Sequence, residues 1–225
     1  DFYCEAVAFT RWGDDKLKNV VQSLGQNLAL NWVGDVVPGK INGMYSAVVD
    51  DSGERQTHYN RKGSAASSMD VAWLKTLVKA RDFMPKLWFL SGITSALSES
   101  CHELNIHIVK NYSESICVYD VNFRHQLLNV NQSAQHLEDI IPHVDILYVS
   151  EGDLKVLQEF DEQIRILDFR DKAGISKMGS QLMGHGPSLV VSRFGARGAV
   201  VANANASFFY ELSSPVEAVD TTGAG

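Results

Sequence analysis

The sequence predicts an α/β fold: a mostly parallel sheet with helices on both faces, and a small β-sheet lid. Three observations carry this prediction. From about Ser68, short apolar runs alternate with stretches of helical spacing. The apolar runs are nearly uninterrupted, as in parallel strands buried on both faces. An earlier stretch, within about residues 28–62, shows strands without helices and is the predicted lid.

The first elements precede the alternating region. "DDKLKNVVQSLG" has Leu17, Val20, Val21 and Leu24 at helical spacing, with Asp14 or Asp15 as a cap. The lid stretch contains "LALNWV", "GMYSAVV" and "RQTHYNR", with "DDSGE" as a hairpin turn. We therefore expect one small sheet across these three strands, and one domain over residues 1–225 that includes it.

The remaining elements follow a strand–helix order. The predicted strands are "KLWFL", "SICVYDVNF", "DILYVS", "PSLVVSRF" and "GAVVANA". The predicted helices are "SALSESCHELNIHIVKN", "SAQHLEDIIPHV" and "EGDLKVLQEF". With 45% hydrophobic residues, a chain of 225 residues can bury one sizeable core.

Charge and cysteine content exclude several classes of protein. The net charge of −7 argues against non-specific nucleic-acid binding, which needs a basic surface. No apolar run reaches the length of a transmembrane helix. Cys4, Cys101 and Cys117 are scattered and odd in number, which suggests a reducing, cytoplasmic compartment without a disulfide framework.

Polar residues at the predicted strand ends are candidates for ligand binding, because ligands bind beyond the carboxyl ends of parallel strands. Asp120, Asn122 and Arg124 are spaced by two and share one face while the strand lasts. Solvation of an ordinary loop explains any one of them. Three polar groups converging at this edge are harder to explain in that way, so a ligand site and an ordinary solvated loop both stay open.

Tyr59 and Arg61 are also spaced by two, within the lid. A guanidinium beside a phenol suits a planar anion such as a carboxylate. A cross-strand ion pair on an exposed strand is the alternative.

Several glycines would allow a ligand to approach the backbone closely, because glycine has no side chain. Gly92 follows a strand in "LSGI", and Gly195 and Gly198 lie in "SRFGARG". Turn geometry alone is the alternative for each. The last residues, "DTTGAG", form a turn whose amides could hold an anion if a helix follows.

Taken together, these stretches resemble the ribokinase-like (PfkB) carbohydrate kinases, and within that family 2-keto-3-deoxygluconate kinase. The resemblance extends over essentially the whole chain. Its stretches occur in the family's order: "YNRKGSAAS", "WFLSGITSALS", "YDVNFRHQLL", "VDILYVSEGDL", "VSRFGARGAV" and "DTTGAG".

The resemblance implies a role for each matching residue. Five match positions that bind the sugar substrate: Tyr59, Arg61, Gly92, Ile93 and Arg124. Four match positions beside the nucleotide: Ser192, Gly195, Gly198 and Thr222. Three match the catalytic anion hole: Gly223, Ala224 and Gly225.

The implied reaction is transfer of the ATP γ-phosphoryl to the primary hydroxyl of 2-keto-3-deoxygluconate. An aspartate after the second glycine would be the base, and amides of the turn would stabilise the transferring phosphoryl. The family's Asn-x-x-Glu, near magnesium, corresponds to Ser150 and Asp153 here. Asp153 is thus a candidate for binding Mg²⁺ through water. The lid could join two subunits into a homo-oligomer.

Both ends of the sequence indicate a fragment, since the matching aspartate would follow Gly225. We expect no kinase turnover from a polypeptide of these residues alone. Two alternatives stay open: a kinase for a neutral sugar, and a non-catalytic sensor of a sugar acid or nucleotide. A nicotinamide-binding Rossmann enzyme fits less well, since no GxGxxG follows the first strand.

Overall fold

A computed structural model of the chain describes residues 5–27, 30–49, 55–165 and 171–211. The strands in these residues are β1 (Ala6–Phe9), β2 (Trp12–Gly13), β3 (Leu30–Val33), β4 (Val36–Val37), β5 (Met44–Val49), β6 (Arg55–Asn60), β7 (Leu87–Ser91), β8 (Ile116–Asp120), β9 (Ile146–Ser150), β10 (Leu189–Arg193), β11 (Ala199–Asn203) and β12 (Ser207–Tyr210).

The helices are α1 (Leu17–Asn27), α2 (Val71–Arg81), α3 (Gly92–Ser95), α4 (Glu99–Asn111), α5 (Val130–Ile140), α6 (Leu154–Phe160) and α7 (Lys172–Met183). Within the described residues, none of these helices combines the length and apolar character needed to cross a membrane.

The chain divides into two compact units. The first unit contains Asp1–Met84 and Thr94–Leu104, and the second contains Pro85–Ile93 and Asn105–Gly225. In the first unit, β1 pairs with β3 and β2 with β4, both in parallel. β5 and β6 form a separate antiparallel hairpin in which Tyr45 lies opposite Tyr59.

The position of β3 differs from the sequence expectation. "LALNWV" was expected to share one lid sheet with the hairpin, but β3 pairs with β1 through a β–α–β connection that contains α1. Trp32 of β3 packs edge-to-face on the buried Trp12 of β2, with ring centroids 5.1 Å apart. Because hydrophobic pattern does not specify a strand's partner, the sequence could not separate β3 from the hairpin.

The second unit contains a six-stranded sheet in the order β12-β11-β10-β9-β8-β7. Strands β7 to β10 are parallel, and β11 and β12 continue as antiparallel neighbours. This is the predicted α/β fold with a mostly parallel sheet. The carboxyl ends of β7 to β10 meet at one edge, which is where such sheets bind ligands.

Alternate strand residues form a tightly buried face. Leu147 and Val190 have no exposed surface, and α7 packs on β10 and β11 at this face. The sequence reading did not predict α2, α7 or β12. The sequence of α7 contains two glycines, which interrupt the apolar pattern typical of a helix. One of them, Gly179, lies where an added Cβ would be 2.9 Å from the Cβ of Ala202 on the sheet. The small residue therefore permits close packing of the helix on the sheet.

Candidate functional site

Arg61 was expected on the strand "RQTHYNR", but β6 ends at Asn60 and Arg61 follows it, where its guanidinium lies over two tyrosine rings of the β5–β6 hairpin. The guanidinium carbon of Arg61 lies 5.1 Å from the ring centroid of Tyr59 and 5.5 Å from that of Tyr45. The two rings are cross-strand neighbours with centroids 6.2 Å apart. Both contacts are in the range of cation–π attraction, so the rings hold the guanidinium in place. The structure thus brings the predicted pair together and adds Tyr45.

Gly43 and Ser64 lie beside this arginine. An added Cβ at Gly43 would be 3.4 Å from both the Cγ of Arg61 and the Oγ of Ser64. Ser64 is 1% exposed, and among the described residues its hydroxyl has no hydrogen-bond partner. The missing side chain at position 43 therefore leaves room for the stem of Arg61.

Gly92 and Ile93 join the end of β7 to α3. The amide of Ile93 donates to the Ser91 hydroxyl at 3.2 Å. A Cβ added at Gly92 would lie only 2.1 Å from the carbonyl oxygen of Val121. Close approach of two backbones therefore requires this glycine, whatever it contributes to substrate binding.

Asp120 and Arg193 form an ion pair at the ends of β8 and β10. Nη2 of Arg193 donates to Oδ1 of Asp120 at 2.9 Å and to Oδ2 at 3.0 Å. Asp120 is only 6% exposed. Desolvation by burial raises the pKa of Asp120, and the negative charge of Asp153 raises it further. The positive charges of Arg193 and Arg124 act in the opposite direction but do not cancel the rise. Four charged groups therefore interact at this edge of the sheet.

Arg124 follows β8 in a loop rather than on the strand. β8 ends at Asp120, and Asn122 has a φ of 45°, so the strand alternation expected for Asp120, Asn122 and Arg124 does not continue. Nη1 of Arg124 donates to the carbonyl of Phe123 at 2.8 Å. The loop still brings Arg124 close enough to Asp120 to affect its pKa.

Asp153 has no exposed surface and both its carboxylate oxygens accept hydrogen bonds. Oδ1 accepts from the amide of Phe123 at 2.7 Å, and Oδ2 accepts from the amide and hydroxyl of Ser150, each at 2.6 Å. The carboxylate therefore ties the loop after β8 to the end of β9 and completes a capping box with Ser150. A water-mediated contact between Asp153 and magnesium stays a prediction.

The loop between β10 and β11 contains two glycines with positive φ, and they differ in how closely other atoms surround them. Gly198 has a φ of 107°, and an added Cβ would lie 2.0 Å from the carbonyl oxygen of Tyr210. Gly195 has a φ of 58°, and no atom of the described residues lies within 4 Å of an added Cβ. Ser192, predicted to lie beside the nucleotide, is 3% exposed and lies on β10 between Val149 and Val200.

The predicted residues Thr222, Gly223, Ala224 and Gly225 lie outside the described residues. Within the described part of the chain, no group of His, Cys, Asp and Glu side chains fits a metal ion.

Two residues of these clusters were missed from the sequence. Tyr45 could have been found by pairing the predicted strands on either side of "DDSGE", a predicted turn that lies outside the described residues, because that pairing places Tyr45 opposite Tyr59. Arg193 could have been found as the last residue of a parallel strand, directly before a glycine loop.

Comparison with known proteins decides the family. The family model of the pfkB family carbohydrate kinases matches residues 1–225. The chain belongs to this family. Among curated relatives of this pfkB kinase chain is a 2-dehydro-3-deoxygalactonokinase from Haloferax volcanii. The two are 30% identical over 76 residues, which is 33% of this chain and 24% of the relative.

Solved structures share the fold. A candidate ribokinase II from E. coli matches in its apo form with a TM-score of 0.77, 21% identity and coverage of 97% of this chain and 66% of that one. The same protein with ATP and Mg²⁺ gives a TM-score of 0.76 at 21% identity, covering 97% and 65%. Adenosine kinase from Anopheles gambiae gives 0.76 at 16% identity, covering 97% and 63%. The chain spans about two thirds of these structures.

Proposed function

We propose that the complete protein is an ATP-dependent kinase that phosphorylates the primary hydroxyl of 2-keto-3-deoxygluconate or its galactonate epimer. Membership of the pfkB carbohydrate kinases supports the reaction class. The partial similarity to a 2-dehydro-3-deoxygalactonokinase supports a keto-deoxy sugar acid as substrate.

The observation that carries the substrate class is that the guanidinium of Arg61 lies over the rings of Tyr45 and Tyr59. Both rings lie within cation–π range of the Arg61 guanidinium carbon, and such a contact uses none of the guanidinium's N–H groups as hydrogen-bond donors. In this proposal those N–H groups bind the substrate carboxylate, with the Tyr59 hydroxyl beside it. A neutral sugar has no group that needs a guanidinium held in this way.

The proposed chemistry depends on positioning and on stabilising charge. ATP supplies the phosphoryl group when bound. Arg61, Arg124, Gly92 and Ile93 position the sugar acid, and Gly195 and Gly198 form the nucleotide side with Ser192 and Thr222. The amides of Gly223, Ala224 and Gly225 stabilise charge on the transferring group.

The described side chains include no cluster that fits a metal ion. The proposal therefore gives them no part in binding magnesium beyond the water-mediated contact predicted for Asp153, and no step is assigned to the metal.

A coupled ADP-release assay on the complete protein tests the function. It compares 2-keto-3-deoxygluconate, 2-keto-3-deoxygalactonate, fructose and ribose at fixed ATP and magnesium. Turnover of the keto-deoxy acids well above both neutral sugars supports the proposal. Preference for fructose or ribose contradicts the substrate class, and no turnover on any of the four would favour a non-catalytic sensor.

Replacing Arg61 tests the carboxylate contact directly. We expect Arg61→Ala to lower kcat/KM on the acid by about tenfold or more, since hydrogen bonds to charged groups are worth about 1.5–3 kcal/mol. Lys62→Ala is the matched control, because it removes an exposed cation next in the chain. A loss of less than about threefold in Arg61→Ala, or an equal loss in the control, would contradict the assignment.

We also propose that the β5–β6 hairpin joins two copies of the protein. Met44 and Val48 lie on one face of the hairpin and are 44% and 59% exposed. Two exposed apolar side chains on a two-stranded sheet support this contact.

A further inference from the structure

Arg124, which positions the sugar acid in the proposed function, lies in a loop outside every described helix and strand. β8 ends at Asp120, and the chain turns at Asn122, whose φ of 45° is uncommon for a residue other than glycine. Strand pairing therefore does not set the position of Arg124, and contacts from elsewhere in the fold must do so.

Two hydrogen bonds connect Arg124 to a buried carboxylate through the backbone of one residue, Phe123. Nη1 of Arg124 donates to the carbonyl oxygen of Phe123 at 2.8 Å. The amide of Phe123 donates to Oδ1 of Asp153 at 2.7 Å. Asp153 thus holds the backbone of Phe123, and the same backbone accepts a hydrogen bond from the guanidinium of Arg124.

Asp153 is itself held by an interior strand of the sheet. Its Oδ2 accepts from the amide and the hydroxyl of Ser150, each at 2.6 Å. Ser150 is the last residue of β9, which pairs with β8 on one side and with β10 on the other. Because Asp153 has no exposed surface, water does not compete for these bonds. The carboxylate can therefore fix the loop before a ligand arrives, and less ordering is needed on binding.

The backbone after Arg124 is also bonded. The carbonyl oxygen of Arg124 accepts from the amides of Leu127 and Leu128, at 2.9 and 3.2 Å. A guanidinium carries five N–H donors, so a bond to one carbonyl leaves it able to bind a carboxylate or a hydroxyl group. Arg124 is therefore oriented by its surroundings and still suited to contact a sugar acid.

We propose that Asp153 is the positioning residue for Arg124 and that it acts on binding of the sugar acid. This rests on the proposed function, in which Arg124 contacts that acid. The magnesium contact predicted for Asp153 is a separate role, on the nucleotide side. The two roles differ in which ligand loses affinity when the carboxylate is removed.

Binding of each ligand to the complete protein distinguishes these roles. Titration calorimetry measures Kd for 2-keto-3-deoxygluconate alone and, separately, for a non-hydrolysable ATP analogue with magnesium. Asp153→Asn replaces one acceptor oxygen by an NH₂ donor, which then faces the donors of Phe123 or of Ser150. We expect Kd for the acid to rise about tenfold, and Kd for the analogue to change less than about threefold.

A double-mutant cycle tests whether Asp153 acts through Arg124. Arg124→Ala alone should raise Kd for the acid about tenfold or more, because a contact to a charged group is lost. In that background Asp153→Asn should raise Kd less than about twofold further. Independent, additive losses would show that Asp153 does not act through Arg124 and would overturn its positioning role.

Asp145→Asn is the matched control. Asp145 directly precedes β9, and its Oδ2 accepts from the amide of Cys117 at 2.7 Å. This bond also joins the segments of β8 and β9, but at their amino ends, away from Arg124. We expect Asp145→Asn to leave both Kd values unchanged. Equal losses of acid binding in Asp145→Asn and Asp153→Asn would indicate general loosening of the sheet and overturn the proposal.

Two further results overturn the role of Asp153: an unchanged Kd for the acid in Asp153→Asn, and a raised Kd for the analogue with magnesium alone. If Asp153→Asn does not fold, Asp153→Glu decides, since it keeps the charge but moves the carboxylate by one methylene. An unchanged Kd for the acid there also overturns the role. A wild type that binds the acid without turnover would contradict the proposed function and leave this binding test intact. A wild type that does not bind the acid would overturn both.

Discussion

The atoms around Gly92 leave no room for a side chain at this position. It lies between β7 and α3, where an added Cβ would approach the Val121 carbonyl oxygen to 2.1 Å, with the Tyr119 hydroxyl at 3.3 Å. The first contact is to backbone and cannot be relieved by a side-chain rotation. Gly152, by contrast, would bring a Cβ no closer than 3.6 Å to the Ser150 hydroxyl.

We expect Gly92→Ala to lower the free energy of unfolding by about 3 kcal/mol, because two strand ends must move apart. Gly152→Ala, the matched control, should change it by less than about 1 kcal/mol. Urea denaturation at pH 7 measures both. Equal effects of the two substitutions would show that the close approach at Gly92 is relieved without cost.

At the scale of elements, one carboxylate joins three segments of the first unit. Asp35, between β3 and β4, accepts from Nε and Nη2 of Arg11 at 3.0 and 2.8 Å. It also accepts from Nε1 of Trp73 on α2 at 2.7 Å. Arg11 donates further to the carbonyl of Ser68 at 3.1 Å. Desolvation opposes ionisation of Asp35, but these hydrogen bonds outweigh it and lower its pKa below the ordinary 3.8.

Asp35→Asn should lower the free energy of unfolding at pH 7 by about 1 kcal/mol, since the carboxylate is half exposed. A lowered pKa means that the stabilisation is complete above pH 3.8 and is lost as pH falls through the folded-state value. The difference from wild type should therefore shrink below about pH 4.

Denaturation curves across pH 3–7 check this, with Asp82→Asn, an exposed carboxylate at the end of α2, as control. A difference that stays constant with pH would mean that charge on Asp35 does not contribute.

At the scale of the whole molecule, the proposed association of two copies depends on the exposed face of the hairpin. An apolar strand face on a two-stranded sheet is poorly covered in a single copy, and a second copy could bury it. α1 also exposes apolar side chains, and Val20 is 53% exposed against 59% for Val48. The two valines therefore offer matched positions on different surfaces.

We expect light scattering of the complete protein to give a dimeric mass at micromolar concentration. Val48→Asp should shift it toward the monomer, because a charge is placed in an apolar contact. Val20→Asp should leave the mass unchanged. Dissociation by Val20→Asp alone would place the interface on α1, and a monomeric wild type would contradict association.

The alternation of apolar runs and helical stretches was enough to predict the parallel sheet, since strands buried on both faces need nearly continuous apolar sequence. Elements without that pattern were missed. α7 contains two glycines, and β12 alternates exposed and half-buried residues at the edge of the sheet. Such elements are stabilised by packing against other parts of the fold, and a local sequence pattern does not show which parts those are.

By itself, the sequence determined the fold class, the closeness of Tyr59 to Arg61 two residues on, and the ordered motifs that resemble the family. These depend on residue type and on spacing within one element. The tertiary structure alone decided that β3 joins β1 and that Asp120 binds Arg193, 73 positions away. Such contacts join residues distant in the chain, and only the folded backbone specifies which side chains meet.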